Sequence, residues 1–180
     1  MADWEDVARE LVTERYNALV GYARVVAGSG VSAEDLVQEA LLATFSRPRS
    51  LTSVAVAEAY VRRAIVTRFI DGIRRRRPQV SGNAEDLAAV AVQAGHAEAV
   101  ESATDLYAAL SLLAPRERAC VVLRYLEGLS IKETAHVLGL AEGSVKRYVS
   151  DGIARLNGLL GTDAPTEESV FVRVAGRGAK

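Results

Sequence analysis

The chain has 180 residues, 49% of them hydrophobic and 25% charged, with few aromatics and a formal net charge of −1. This suits one or two small globular domains, and the abundance of Ala, Leu, Val, Glu and Arg favours an all-α fold. A single cysteine excludes an intramolecular disulfide; Cys120, His96 and His136 fit no zinc-ligand spacing, so neither metal nor cofactor is expected.

The charge is unevenly placed. Residues 1–46 carry 3 Arg against 8 acids, and residues 47–77 carry 9 Arg against 2 acids. Residues 78–114 carry 5 acids and no Lys or Arg, and residues 115–161 carry 7 bases against 5 acids. Such an acidic–basic–acidic–basic order serves a protein that meets phosphate on some surfaces and a basic protein on others. The acidic start, MADWEDVAREL, does not read as a signal peptide, and no apolar run approaches a membrane span. A cytoplasmic protein without membrane insertion is expected.

Residues 3–27 predict a first helix, with Val7, Leu11, Tyr16, Leu19, Val20, Ala23 and Val26 at helical spacing. Gly28-Ser29-Gly30 breaks it. Ser32 can cap a second helix that runs to about Phe45, with Asp35 in the capping-box position. Ala33, Leu36, Val37, Ala40, Leu41 and Phe45 form its apolar stripe, and Glu34, Asp35, Gln38 and Glu39 the acidic side. That side is a solvated face or a docking face for a basic partner. Ser46–Thr52, with Arg47, Pro48 and Arg49, reads as a loop. A third helix, from about Val54 to Arg77, carries Arg62, Arg63, Arg68, Arg74, Arg75, Arg76 and Arg77, with Tyr60 and Phe69 among them. Arginines interleaved with aromatics suit single-stranded nucleic acid, because bases stack on rings while cations follow the phosphates.

Pro78 ends that helix. Residues 78–103 read as an acidic linker, with a short helix around Glu85–Val92. A second domain, residues 104–161, begins with a helix marked by Leu106, Leu110 and Leu113. Pro115 opens the next helix, which Val121, Val122, Tyr125 and Leu126 carry to Gly128. Then SIKETAHVLGLAEGSVKRYVSDGIARL has the layout of a helix-turn-helix. Ala135 allows two helices to approach, Gly139 turns the chain, and Val145 anchors the second helix on the first. Ser144, Lys146, Arg147 and Ser150 are the polar residues a recognition helix would present to a major groove. An ordinary αα-hairpin shares the Gly turn, but the spacing favours DNA binding. Beyond Gly161 lies a polar tail, residues 162–180, in which SVFVRV (Ser169–Val174) alternates like a short strand.

Three of these stretches together resemble the bacterial sigma factors of the extracytoplasmic-function type. AEDLVQEALLATF is similar to the family's segment that binds the clamp helices of RNA polymerase, and AYVRRAIVTRFIDGIRRRR to the segment that opens and reads the −10 element. LAPRERACVVLRYLEGLSIKETAHVLGLAEGSVKRYVSDGIARL resembles the domain that reads the −35 element. The resemblance implies two small helical domains, residues 1–77 and 104–161, without a central domain. It implies that Asp35, Gln38 and Glu39 face core polymerase. It further implies that Arg47, Arg49, Tyr60, Arg62, Arg63, Thr67, Arg68, Arg74, Arg75 and Arg76 serve the −10 strand, the Ser46–Thr52 loop accepting a flipped base. Arg116, Arg118, Ser144, Lys146, Arg147, Ser150 and Arg155 would serve the −35 duplex.

The chain departs from the family pattern at two places. Tyr148, Asp151 and Ile153 stand where further arginines are common, which weakens the phosphate surface or redirects it to Arg155, Arg116 and Arg118. Thr67 stands where an Asn is common. The resemblance also implies an anti-sigma partner and a protein without catalytic chemistry of its own. Since neither domain is strongly basic overall, free protein is expected to bind DNA poorly and to need polymerase. An autonomous helix-turn-helix regulator is one alternative, though it has no use for a strand-melting helix; a degenerate sigma-like protein that titrates polymerase or a regulator is another.

Overall fold

The computed structural model describes residues 4–46, 51, 53–76 and 103–162, and all regular structure among them is helical. Three helices form an N-terminal unit: α1 (Trp4–Ala27), α2 (Ala33–Phe45) and α3 (Val54–Arg76). Four more form a C-terminal unit: α4 (Ala103–Ser111), α5 (Pro115–Val121), α6 (Ile131–Leu138) and α7 (Glu142–Leu160). Arg47, Arg49 and Arg77, the expected Glu85–Val92 helix and the Ser169–Val174 strand lie outside the described residues.

In the first unit each helix packs on the other two. The apolar spacing read from the sequence is the buried one: Val7, Leu11, Leu19, Val20, Ala23 and Val26 from α1 meet Leu36, Val37 and Ala40 from α2. Val61, Ile65 and Phe69 complete this core from α3. The chain leaves α1 through a single 3₁₀ turn, Gly28–Gly30, in which Gly28 has φ 66°. Ser32 then accepts a hydrogen bond from the Asp35 backbone N–H at 3.2 Å and starts α2.

In the second unit Pro115 occupies the first turn of α5. That helix does not continue regularly to Gly128. It ends at Val121 and passes into a π turn over Val122–Leu126, closed by the Glu127 N–H donating to the Val122 carbonyl at 3.2 Å. α6 starts on a reciprocal cap: the Ser130 hydroxyl accepts from the Glu133 N–H at 3.1 Å, and Glu133 accepts from the Ser130 N–H at 2.8 Å. Gly139 ends it at φ 62°, a left-handed conformation that a side chain would strain. Ala135 and Val145 are both buried, as the helix-turn-helix spacing requires.

Cys120 is a core residue, fully enclosed, and burial pushes its thiol up to about 12. The thiolate is the reactive form, so native protein is expected to resist thiol reagents and unfolded protein to label within minutes. Mass spectrometry of a labelling time course checks this; native labelling at the unfolded rate would contradict the packing.

The two units are in contact. α1 touches α4 and α5, and α3 touches α5 and α6.

Candidate nucleic-acid interface

The second helix separates its residues cleanly. Leu36, Val37 and Ala40 face the core, while Asp35, Gln38 and Glu39 are exposed. Leu42 continues that outer stripe, seven residues after Asp35, and is 72% exposed. An exposed apolar side chain at the end of an acidic row can serve a protein contact, the charge for steering and the hydrophobe for burial. Leu42 was not singled out from the sequence; its i+7 spacing from Asp35 was the available signal.

The third helix is less free than its arginines suggest. Arg62 donates to Glu58 from Nη2 at 2.6 Å and from Nε at 3.1 Å. It also pairs with Glu127 at 3.7 Å and lies over the Tyr22 ring at 5.2 Å. Burial alone would lower its pKa, but Glu58 and Glu127 outweigh that and hold the guanidinium above its ordinary value. Arg63 and Arg68 are half-buried, and the Thr67 hydroxyl is turned back to donate to the Arg63 and Ala64 carbonyls. Tyr60, Arg74 and Arg75 remain exposed, Arg74 pairing with Asp71 at 3.7 Å.

Phe69 corrects the expectation of a stacking ring: it is 4% exposed and belongs to the core. Its spacing after Val61 and Ile65 is that of the buried stripe. Arg118, expected on the −35 surface, is also buried in this arrangement. Its guanidinium lies 5.5 Å over the Phe69 ring and donates from Nη1 to the Ser111 carbonyl at 3.3 Å. No carboxylate among the described residues pairs with it, and burial lowers its pKa to about 10.

Glu127, at the end of the π turn, has a side chain only 7% exposed. Burial raises its pKa, against the opposing pull of Arg62 and Arg63. The buried Tyr22 hydroxyl faces it, and burial followed by the Glu127 charge moves that phenol well above its ordinary value.

The helix-turn-helix exposes most of the polar residues of its second helix. Lys146, Arg147 and Ser150 are exposed and Ser144 is half-buried, all on the first three turns of α7. Arg147 lies 5.4 Å over the Tyr148 ring, which holds the guanidinium against the helix surface. Arg116 donates from Nη1 to the Tyr148 hydroxyl at 3.3 Å, and Arg155 pairs with Glu117 at 3.7 Å. Tyr148 thus organises two cations at the place where the family pattern would have a third.

Among the described residues no helix is long and apolar enough to cross a membrane, and no group of His, Cys, Asp and Glu could hold a metal ion.

Two family models match the chain in order: Sigma-70 region 2 over residues 11–79 and Sigma-70, region 4 over residues 103–156. The chain is 34% identical over 147 residues to the RNA polymerase sigma-E factor of Streptomyces avermitilis, covering 82% of this chain and 81% of that one. It is 32% identical over 152 residues to the ECF RNA polymerase sigma factor SigM of Mycobacterium tuberculosis, covering 84% and 76% respectively. Among solved structures it is similar to the sigma factor RpoE of Bartonella quintana in complex with the anti-sigma factor NepR. That match has TM-score 0.59 and 25% identity, and covers 88% of this chain and 99% of that one. With Sigma-70 regions 2 and 4 matched in order and relatives of this type alike over most of their length, the chain belongs to the extracytoplasmic-function sigma factors, the promoter-specificity subunits of bacterial RNA polymerase.

Proposed function

We propose a division of labour among the helices. The outer face of α2, with Asp35, Gln38, Glu39 and Leu42, docks on a basic coiled coil of core polymerase. α3 and the Ser46–Thr52 loop hold and read the displaced −10 strand, with Tyr60, Arg74 and Arg75 exposed and Arg62, Arg63 and Arg68 half-buried. Unstacking a base costs a few kcal/mol, which phosphate contacts and a base pocket must offset. α7 lies in the major groove at −35, where Arg147 and Lys146 make the contacts and Ser144 and Ser150 fix the helix on the backbone.

One observation carries this reading: a capped, Gly139-turned helix pair presents an exposed Lys146–Arg147–Ser150 face on the same chain as the arginine helix. An autonomous duplex reader would need only the first. An anti-sigma protein is part of the proposal, supported by the NepR-bound structure of a relative. A pull-down from native cells returning polymerase but no second small protein would contradict that part.

Arg147→Ala tests the −35 assignment in reconstituted holoenzyme. A well-placed Arg–base contact is worth about 1–3 kcal/mol, so promoter-specific initiation is expected to fall about 5- to 150-fold while core binding is unchanged. Start-site usage indistinguishable from wild type would remove Arg147 from the interface and favour a protein that titrates polymerase.

A further inference from the structure

We propose that Tyr148 is a positioning residue of the −35 interface: its ring keeps Arg147 clear of Asp151 and free to read a base, and its hydroxyl ties Arg116 of α5 beside the same groove. This rests on the reading of α7 as the recognition helix.

The geometry of α7 carries the first half. Side chains of successive helical residues diverge by about 100° and do not ordinarily face each other. Arg147 nevertheless brings its guanidinium to 5.4 Å from the centre of the Tyr148 ring, so its side chain bends around the helix toward that ring. Another partner was within reach. Asp151 stands exposed one turn on, in the i+4 position where an arginine and a carboxylate can pair. The two form no ion pair, and neither Arg147 nor Arg116 pairs with any carboxylate among the described residues. The difference matters for DNA. A guanidinium on a carboxylate has its charge cancelled and its donors occupied, whereas one on a ring face keeps its charge and its N–H edge for an acceptor. Without the ring, Asp151 would both repel the duplex and withdraw Arg147 from it.

The second half joins α7 to α5. Arg116, on the first turn of α5, donates from Nη1 to the Tyr148 hydroxyl at 3.3 Å. The two helices meet closely below this bond, because Gly152 leaves room for Val121 and Glu117. Glu117, the neighbour of Arg116 in sequence, is already engaged: it accepts from the Ala114 N–H at 3.2 Å and pairs with Arg155 at 3.7 Å. Two uncompensated cations from two helices therefore meet on one side chain. The chemistry that complements them is the acceptor edge of a base beside a phosphate. A tyrosine in place of a third arginine gives up one charge and fixes the orientation of two.

Tyr148→Phe, Tyr148→Leu, Asp151→Asn and the Tyr148→Leu/Asp151→Asn double variant test this in reconstituted holoenzyme. The probe is the strongest promoter that wild-type holoenzyme yields from fragmented genomic DNA, with each −35 base pair substituted in turn. Arg147→Ala marks the base pair that Arg147 reads. Y148F keeps the ring and loses the Arg116 bond, so initiation is expected to fall about threefold on all −35 variants alike, with discrimination at the Arg147 base pair intact. Y148L keeps apolar bulk without a ring face; it is expected to lose about tenfold on the parent promoter and most of that discrimination. D151N should recover about threefold in the Y148L background and less in the wild-type background. Full discrimination by Y148L overturns the positioning of Arg147. Equal gains from D151N in both backgrounds overturn its separation from Asp151, and wild-type activity of Y148F overturns the tie to Arg116. Far-UV circular dichroism confirms that each variant is folded, and Y148F, which removes a single oxygen, reads the Arg116 tie independently of packing. Failure of the underlying reading appears separately, as wild-type start sites that share no −35 element.

Discussion

Gly152→Val is expected to unfold the DNA-reading unit at temperatures where wild type is intact. Gly152 lies mid-α7, where glycine costs about 0.5–1 kcal/mol relative to alanine, so helix propensity does not explain it. Packing does. A Cβ at this position would lie 2.8 Å from Val121 Cγ2 and 3.5 Å from Glu117 Cβ. Valine adds two further carbons to a gap too small for one, and both neighbours belong to a buried helix that cannot retreat. Overpacking of this kind costs about 3 kcal/mol, which for a unit of this size lowers the melting temperature by about 15 °C. Gly158→Ala is the control: six residues on in the same helix, its added Cβ meets nothing within 4 Å. It should be neutral or stabilising by up to about 1 kcal/mol. Thermal melts of both variants decide the matter, and equal melting temperatures would contradict the close approach of α5 and α7.

Leu42→Gln is expected to weaken binding to core polymerase without weakening the fold. At 72% exposure Leu42 contributes little to the core, and glutamine retains its length and helix propensity. Burying a leucine against a partner is worth about 1.5–3 kcal/mol, or roughly 10- to 100-fold in affinity. The neighbouring acids should behave differently. Neutralising Asp35 and Glu39 is expected to slow association and to reduce its salt dependence, because exposed charges steer more than they hold. Surface plasmon resonance on immobilised core separates the two effects. A Leu42→Gln affinity equal to wild type would place the docking face elsewhere.

Much of this was legible in the sequence. The i, i+3, i+4 spacing set α1, α2 and α3 nearly to the residue, and Ser32, Pro115 and Gly139 marked boundaries because each has a backbone role that few residues fill. The helix-turn-helix residues were legible for the same reason. What escaped depended on tertiary neighbours. The π turn after Val121 leaves no mark on apolar periodicity, yet it ends with Glu127 facing α1 and α3. Arg118 in the run RERAC reads as surface; the Phe69 ring, the Ser111 carbonyl and the room left by the Gly28 turn make its burial tolerable. Glu58 reads as a stray acid on a basic helix, but it ties Arg62 and reaches Arg15 of α1 at 3.8 Å. Phe69 could have been placed correctly, since its spacing after Val61 and Ile65 outweighs the arginines beside it.

Run-off transcription with purified core polymerase, this protein and fragmented genomic DNA tests the central claim most directly. The account predicts discrete start sites that share two upstream elements at a fixed separation, and their loss when the protein is omitted. No start sites despite stable binding to core would contradict promoter-specific initiation, and no binding to core would remove the basis of the α2 docking face as well.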